Sequence, residues 1–168
     1  LGAADYLLKD RLGRLGVAAR QAIARRDAER QRREIEAALL ERDRQFRAVF
    51  ENALDAITIV DDERRLVDAN PAASLLLGRS RDELLRLRFE DLFPTADRET
   101  ATSLWGRFIA EGEQHGEVSL LHADGSLRIA DYRARASILP GRHLSVMRDI
   151  SDRRRLEEEL SIKNQKLE

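Results

Sequence analysis

Apolar residues recur along this chain in two rhythms, one close to the helical repeat and one of period two, and each switch between them marks an element boundary. Ile35, Leu39, Arg42, Phe46 and Val49 alternate by four and three, the a and d spacing of a coiled-coil seam, with Arg42 as a weak point at its middle. The proline-free stretch around them, Leu12 to Asn52, predicts a long charged helix interrupted early by Gly13 and Gly16. About 40 helical residues extend roughly 60 Å, too far to be buried on one small domain, so a partner helix is the expected cover. The rhythm then shortens: Ala56 to Val60 and Arg65 to Ala69 read as strands flanking the charged turn at Asp61, Asp62 and Glu63.

Helical signals follow. Asn70 before Pro71 supplies a capping side chain and a residue suited to the first helical position. Ser80 or Arg81 opens another short helix through Asp82 to Leu85, Pro94 ends a short segment from Phe89 to Phe93, and residues 97 to 111 form a longer helix stopped by Gly112. That helix carries Leu104, Trp105, Phe108 and Ile109 along one stripe. Three strands come next, Gly116 to His122, Leu127 to Ile138 and His143 to Ile150, with Asp124-Gly125 and Pro140-Gly141 as turns. Two strands, a helical stretch and three strands predict an α+β domain: a five-stranded antiparallel sheet with helices on one face.

The last strand hands over directly to a helix. Leu144, Val146 and Ile150 fall on one strand face; Ser151 is then a candidate N-cap and Asp152 lies near the positive end of the helix dipole. Such a junction can carry strain from sheet to helix, so Asp149, Ile150 and Ser151 are the candidate coupling residues. Asp149, an acid at the end of an apolar strand, needs a partner, either a nearby arginine or the backbone amides of the helix start. Beyond it Leu156, Leu160, Lys163 and Leu167 form a short, imperfect seam, marginal alone but suited to pairing between two copies.

Composition narrows the chemistry. With 168 residues, 42% of them hydrophobic, the chain can build one core plus accessory helices. A formal net charge of −1 gives no drive toward nucleic acid or anionic membrane, and the arginines of the long helix are interleaved with Glu29, Glu34, Glu36, Glu41 and Asp43. Absence of cysteine removes disulfides, thiolate metal sites and thiol nucleophiles, and no apolar run approaches the roughly 20 residues that span a bilayer. A soluble, cytoplasmic protein is expected, and Leu1 in place of an initiator Met suggests a piece of something longer. No phosphate loop, metal cluster or nucleophile–base pair is legible, so no enzyme is expected; Asp61 and Asp62 read as a solvated turn, and His115, His122 and His143 as surface or edge residues rather than metal ligands.

Several stretches, in order and spacing, carry a resemblance: Phe46 to Asp61, Val67 to Ala73, Leu77-Gly78 with Asp82 to Leu85, the hairpin at Ala123 to Ser126, and Arg148 to Ser151. Together the region from 46 to 160 resembles a PAS domain, a sensory module of bacterial signalling proteins. In that family small molecules bind between sheet and helices, which implies Phe89, Leu92, Trp105, Phe108 and Ile109 as pocket candidates; a filled core is the alternative reading of the same aromatics. The ligand is unknown. The resemblance speaks against haem, because Ala101 falls where a histidine ligand is expected, and against flavin photochemistry that needs a cysteine. It also implies a homodimer, with Ile35, Leu39, Phe46, Val49, Leu156 and Leu160 as seam residues, and a histidine kinase or diguanylate cyclase output domain downstream.

Residues 2–10 followed by a helix look like the last strand and helix of a response-regulator receiver domain, in which the lysine matching Lys9 meets a phosphorylated aspartate. With the rest of that sheet missing, an exposed or refolded tail is expected. The division is thus 1–11 receiver remnant, 12–45 coiled-coil linker, 46–150 PAS domain and 151–168 signalling helix. The function implied is a regulatory sensor and dimerisation module of a two-component-type protein, passing a signal through its flanking helices. A ligand-free structural relay is the alternative.

Overall fold

The computed structural model describes the backbone of residues 2–165 and the side chains of residues 19–165. The chain divides into two compact units, Leu1–Ala48 and Val49–Glu168. Helix α1 runs unbroken over Gly2–Asn52, so one expectation is corrected. The interruption at Gly13 and Gly16 does not occur: a glycine costs a helix interior only about 1 kcal/mol relative to alanine, and its neighbours here are strong helix formers. Residues 2–10, which resemble a receiver strand in sequence, are helical, because a strand without sheet neighbours leaves its backbone groups unpaired whereas a helix satisfies them internally. The side chain of Lys9 lies outside the described residues. Further along, exposed pairs such as Arg30–Glu34 at 2.9 Å and Arg32–Glu36 at 2.8 Å support the helix at i,i+4 spacing.

The second unit holds β1 (Ala56–Val60), β2 (Leu66–Ala69), α2 (Pro71–Leu77), α3 (Arg81–Leu84), 3-10 turns at Phe89–Leu92 and Thr95–Asp97, α4 (Arg98–Glu111), β3 (Glu113–Leu121), β4 (Leu127–Leu139), β5 (Arg142–Asp149) and α5 (Ser151–Gln165). Its five strands form one antiparallel sheet in the order β2-β1-β5-β4-β3. The first and last strands therefore lie side by side, with Ala56 opposite Met147 and Val60 opposite His143.

Strand parity decides what enters the core. Ala56, Thr58 and Val60 of β1 are buried, and the register places His143, Ser145 and Met147 of β5 on the same face. Leu144 and Val146 share the opposite face and are half-buried. The same core takes in Leu66 of β2 and Leu120 of β3 together with Leu77 of α2 and Leu84 of α3, all but sealed from solvent, each stabilising the fold by about 1.5–3 kcal/mol through removal of its surface from water.

The connections are held by caps. Ser80 and Glu83 form a reciprocal capping box on α3. At the end of α2, Gly78 adopts φ 67°, and a Cβ there would lie 2.3 Å from Nε2 of His122, so the position needs glycine both for its backbone and for the ring packed on it. Asn70 caps α2 with its side-chain oxygen on Ala73 N at 2.9 Å, and the same oxygen accepts from Ile57 N at 2.8 Å. Its amide nitrogen donates to the carbonyls of Phe50 and Asp55, at 3.2 and 3.0 Å. One fully buried side chain thus ties the end of α1, the start of β1 and the start of α2 together.

Candidate functional site

Between the sheet and the helices lies a cavity of about 60 Å³. The 3-10 turn after Arg88 swings Phe89, Leu92 and Phe93 over the sheet, and α4 supplies Leu104, Trp105 and Phe108, so the helical wall is largely aromatic. The rings pack against one another: Phe89 lies tilted 5.3 Å from Trp105, and Trp105 meets Phe108 edge-on at 5.6 Å, centroid to centroid. Of the pocket candidates, Phe89, Leu92, Trp105 and Phe108 line this space. Ile109 does not: it stands one residue, about 100° of helical turn, past Phe108 and is 43% exposed. Ala101 is fully buried in the core outside the lining.

The sheet floor is more polar, with Thr58, Gln114, Tyr132 and Ser145 facing in. Burial pushes the Tyr132 phenol above its ordinary range, so its hydroxyl stays protonated. His143 completes the wall, 3% exposed, with Trp105 5.2 Å and Phe108 5.8 Å from its ring. This corrects its reading as a surface or edge residue: its position at a strand start says edge, but its parity with Ser145 and Met147 turns it inward. Its Nδ1 accepts from Ser137 N at 3.2 Å, which places the proton on Nε2, directed at Asp62 Oδ1 2.9 Å away. Both ring nitrogens are therefore engaged by the protein. Asp62, read as a solvated turn residue, is the exposed half of that contact.

His122 is part-buried over Gly78 and reaches Asp124 at 2.8 Å. The Asp124 carboxyl is held well below the usual range, first by its hydrogen bonds to Ser126 and then by His122. His115 is exposed. Among the described residues no group of three or more His, Asp and Glu side chains is placed to hold a metal ion, and no helix is long and apolar enough to cross a membrane.

The strand-to-helix junction differs in detail from the expected cap. Asp149 Oδ1 accepts from Ser151 N at 2.8 Å, so the carboxylate, not the serine, engages the first helical amide. Ser151 Oγ instead accepts from Ile129 N at 2.9 Å, and Ile150 N donates to Ile129 O at the same distance. Helix α5 is thereby fastened to β4 at its first turn, reinforced by Arg154 on Glu117 of β3. One residue earlier, Arg148 grips Asp55 with two bonds of 2.9 Å, joining the residue before β1 to the end of β5. Those bonds hold the Asp55 carboxyl below its ordinary range. Ile35, Leu39, Phe46, Val49, Leu156 and Leu160 are each more than half exposed, and Leu167 lies outside the described residues.

Comparison with known proteins agrees with this architecture. The sequence matches the PAS fold family over residues 50–155. It is 31% identical over 131 residues to sporulation kinase E of Bacillus subtilis, covering 77% of this chain and 18% of that protein, and 29% identical over 138 residues to the sensor histidine kinase TmoS of Ectopseudomonas mendocina, covering 77% and 14%. The chain thus spans less than a fifth of the length of these curated relatives. Among solved structures, a domain of a sensory box sensor histidine kinase/response regulator from Geobacter sulfurreducens superposes with a TM-score of 0.58 at 30% identity, covering 66% of this chain and 96% of that one. The PAS domain of an HTR-like protein from Haloarcula marismortui gives 0.63 at 24% identity, over 70% and 99%. With the match extending from the end of α1 into the first turn of α5, and the sheet, caps and helices in their expected order, the chain belongs to the PAS fold family and is homologous to the sensor modules of histidine kinases.

Proposed function

We infer that this chain is a regulatory module of a longer two-component-type signalling protein, acting as a homodimer and passing a signal through α1 and α5 to an output domain such as a histidine kinase or diguanylate cyclase. The observation that carries this reading is the junction at residues 149–151: β5 enters α5 without a loop, and the first turn of that helix is bonded to β4. A shift of β4 against β5 changes where α5 points, and the stripe Leu156–Leu160 offers a surface through which two copies transmit the change. The module performs no reaction itself: Asp61 belongs to a turn, Glu83 to a helix cap and Asp55 to an ion pair. A receiver domain upstream fits the same scheme.

The test is a fusion of α5 in frame to a histidine-kinase catalytic core, with one to seven residues inserted after Leu160. Autophosphorylation should oscillate with insert length and recover near seven, as expected if helix phase carries the signal. Output that ignores insert length would rule this relay out.

The ligand-free relay remains a second reading, favoured by how far the aromatic wall fills the interior and leaves only about 60 Å³.

A further inference from the structure

The cavity has a charge character as well as a size. Among the described residues no Arg, Lys, Asp or Glu lines it, and His143, the one titratable nitrogen base among them on the wall, uses Nδ1 on Ser137 N and directs Nε2 outward to Asp62. An ion entering would lose its hydration with no opposite charge to meet it. A haem or metal would find no free imidazole nitrogen there. What the wall does offer is aromatic surface on the helix side and, on the sheet side, the hydroxyls of Thr58, Ser145 and Tyr132, none of which is hydrogen-bonded to another side chain among the described residues. The site is therefore apolar across most of its surface with hydrogen-bonding groups concentrated on the floor, and its occupant must be uncharged.

Size narrows the class further. A cavity of about 150 Å³ takes a benzene ring and a water needs about 10–15 Å³, so about 60 Å³ holds roughly two to five non-hydrogen atoms. We propose that the cavity binds a neutral short-chain organic molecule, an alcohol, aldehyde or ketone, with its carbon chain against Trp105 and Phe108 and its oxygen on the hydroxyls of Ser145 and Tyr132. This rests on the signalling-module reading, for which it supplies the input. The occupied strands are β4 and β5, the two that meet at the junction holding α5, so the ligand's oxygen touches the elements whose relative shift would move that helix. So few atoms bind weakly, with a dissociation constant of about 1–10 mM.

The chain's single tryptophan, Trp105, stands on the cavity wall, so its fluorescence and indole N–H resonance report occupancy directly. The 168-residue chain is titrated with 1-propanol and, at matched ionic strength, with acetate and propylammonium. Propanol should shift the resonances of Trp105, Tyr132 and Ser145 with one saturable curve, and both ions should leave them unmoved. Ala134→Leu, which fills the floor, should raise the dissociation constant at least tenfold; should that variant not fold, Ser145→Ala, which removes the hydroxyl without adding bulk, should raise it at least threefold. Shifts that grow linearly with propanol overturn the proposal, as do ions that saturate the same signals equally well or variants that bind unchanged. The insertion series described for the fusion uses no small molecule: an intact helix-phase response beside a linear propanol titration refutes the ligand class alone, and the reverse pair of results refutes the relay.

Discussion

Removing the Asn70 side chain should cost this fold more than any other single polar truncation. The carboxamide can make four hydrogen bonds, two accepted and two donated, and all four go to backbone groups: Ile57 N, Ala73 N, Phe50 O and Asp55 O. In Asn70→Ala the cap on α2 is lost, worth about 1 kcal/mol. The Ile57 amide, inside β1, loses its partner at about 1–3 kcal/mol. The two carbonyls add less, under about 1 kcal/mol each, because one lies near a solvent-facing turn and each has a second lone pair. The sum is about 2–6 kcal/mol, a large share of the 5–15 kcal/mol typical of a domain this size. Urea unfolding followed by Trp105 fluorescence should therefore show a midpoint about 1–3 M lower, with unchanged slope. A midpoint within about 0.5 M of the parent would refute the reasoning, since it would mean water replaces the side chain at little cost.

Asn70→Asp separates hydrogen bonding from shape. The carboxylate still accepts from Ile57 N and Ala73 N, but its second oxygen faces the Phe50 and Asp55 carbonyls in a fully buried site. Protonation relieves this, so the folded state holds the proton more tightly than the unfolded chain. The variant's stability is then fullest below the ordinary aspartate range near 4 and falls as pH rises through the folded-state value. At pH 4.5 it should exceed Asn70→Ala and at pH 8 lose that advantage; a pH-independent gap between the two would contradict the assignment.

Leu39→Glu, on the exposed stripe of α1, should weaken self-association at least tenfold in analytical ultracentrifugation, whereas Arg42→Leu should strengthen it; an unaltered dimer in both would exclude this seam. Of the two tyrosines, Tyr132 should ionise above the ordinary value near 10, and the late step in 295 nm absorbance should vanish in Tyr132→Phe. Because its folded-state pKa is raised, the protein should lose stability as pH climbs from about 10 through that value. Asp55 behaves oppositely: its carboxyl is depressed by Arg148, so the contact stabilises above about pH 4 and fades as the pH falls through the folded-state value. Arg148→Met should accordingly melt lower than the parent at pH 7 and alike at pH 2.5. A gap that persists in acid would mean the arginine acts through packing.

Much of this architecture can be read from local chemistry. Asn70-Pro71, Ser80 with Glu83, and Gly112 are helix boundaries whose physics is confined to a few neighbouring residues, and the turns at Asp124-Gly125 and Pro140-Gly141 make neighbours of β3 and β4 and of β4 and β5. Four of five pocket candidates line the cavity: Trp105 and Phe108 because their spacing on α4 fixes a face, Phe89 and Leu92 because the 3-10 turn lays them over the sheet. Ile109 misleads because a stripe four residues wide is broader than the part of the helix that meets the sheet. His143 is harder to foresee. Leu144 and Val146 make the opposite parity look like the core, and only the pairing of β5 with β1 turns the histidine inward. The unbroken run through Gly13 and Gly16 shows the converse limit: a break expected from two glycines is overridden by the helix formers on either side of them.

Where the domain begins and ends on its own sheet has a consequence for how such proteins grow. Ala56, at the start of β1, faces Met147 near the end of β5, and the Arg148–Asp55 contact closes the same corner. Chain enters and leaves at neighbouring points, so the whole sheet and its helices form an excursion from one corner. A gene segment encoding such an excursion can be spliced into a pre-existing helical connector without rerouting the rest of the polypeptide, and can be copied in tandem by the same operation. Its adjacent ends make the domain a cassette, and the number of sensory inputs on one signalling chain becomes a matter of duplication instead of redesign.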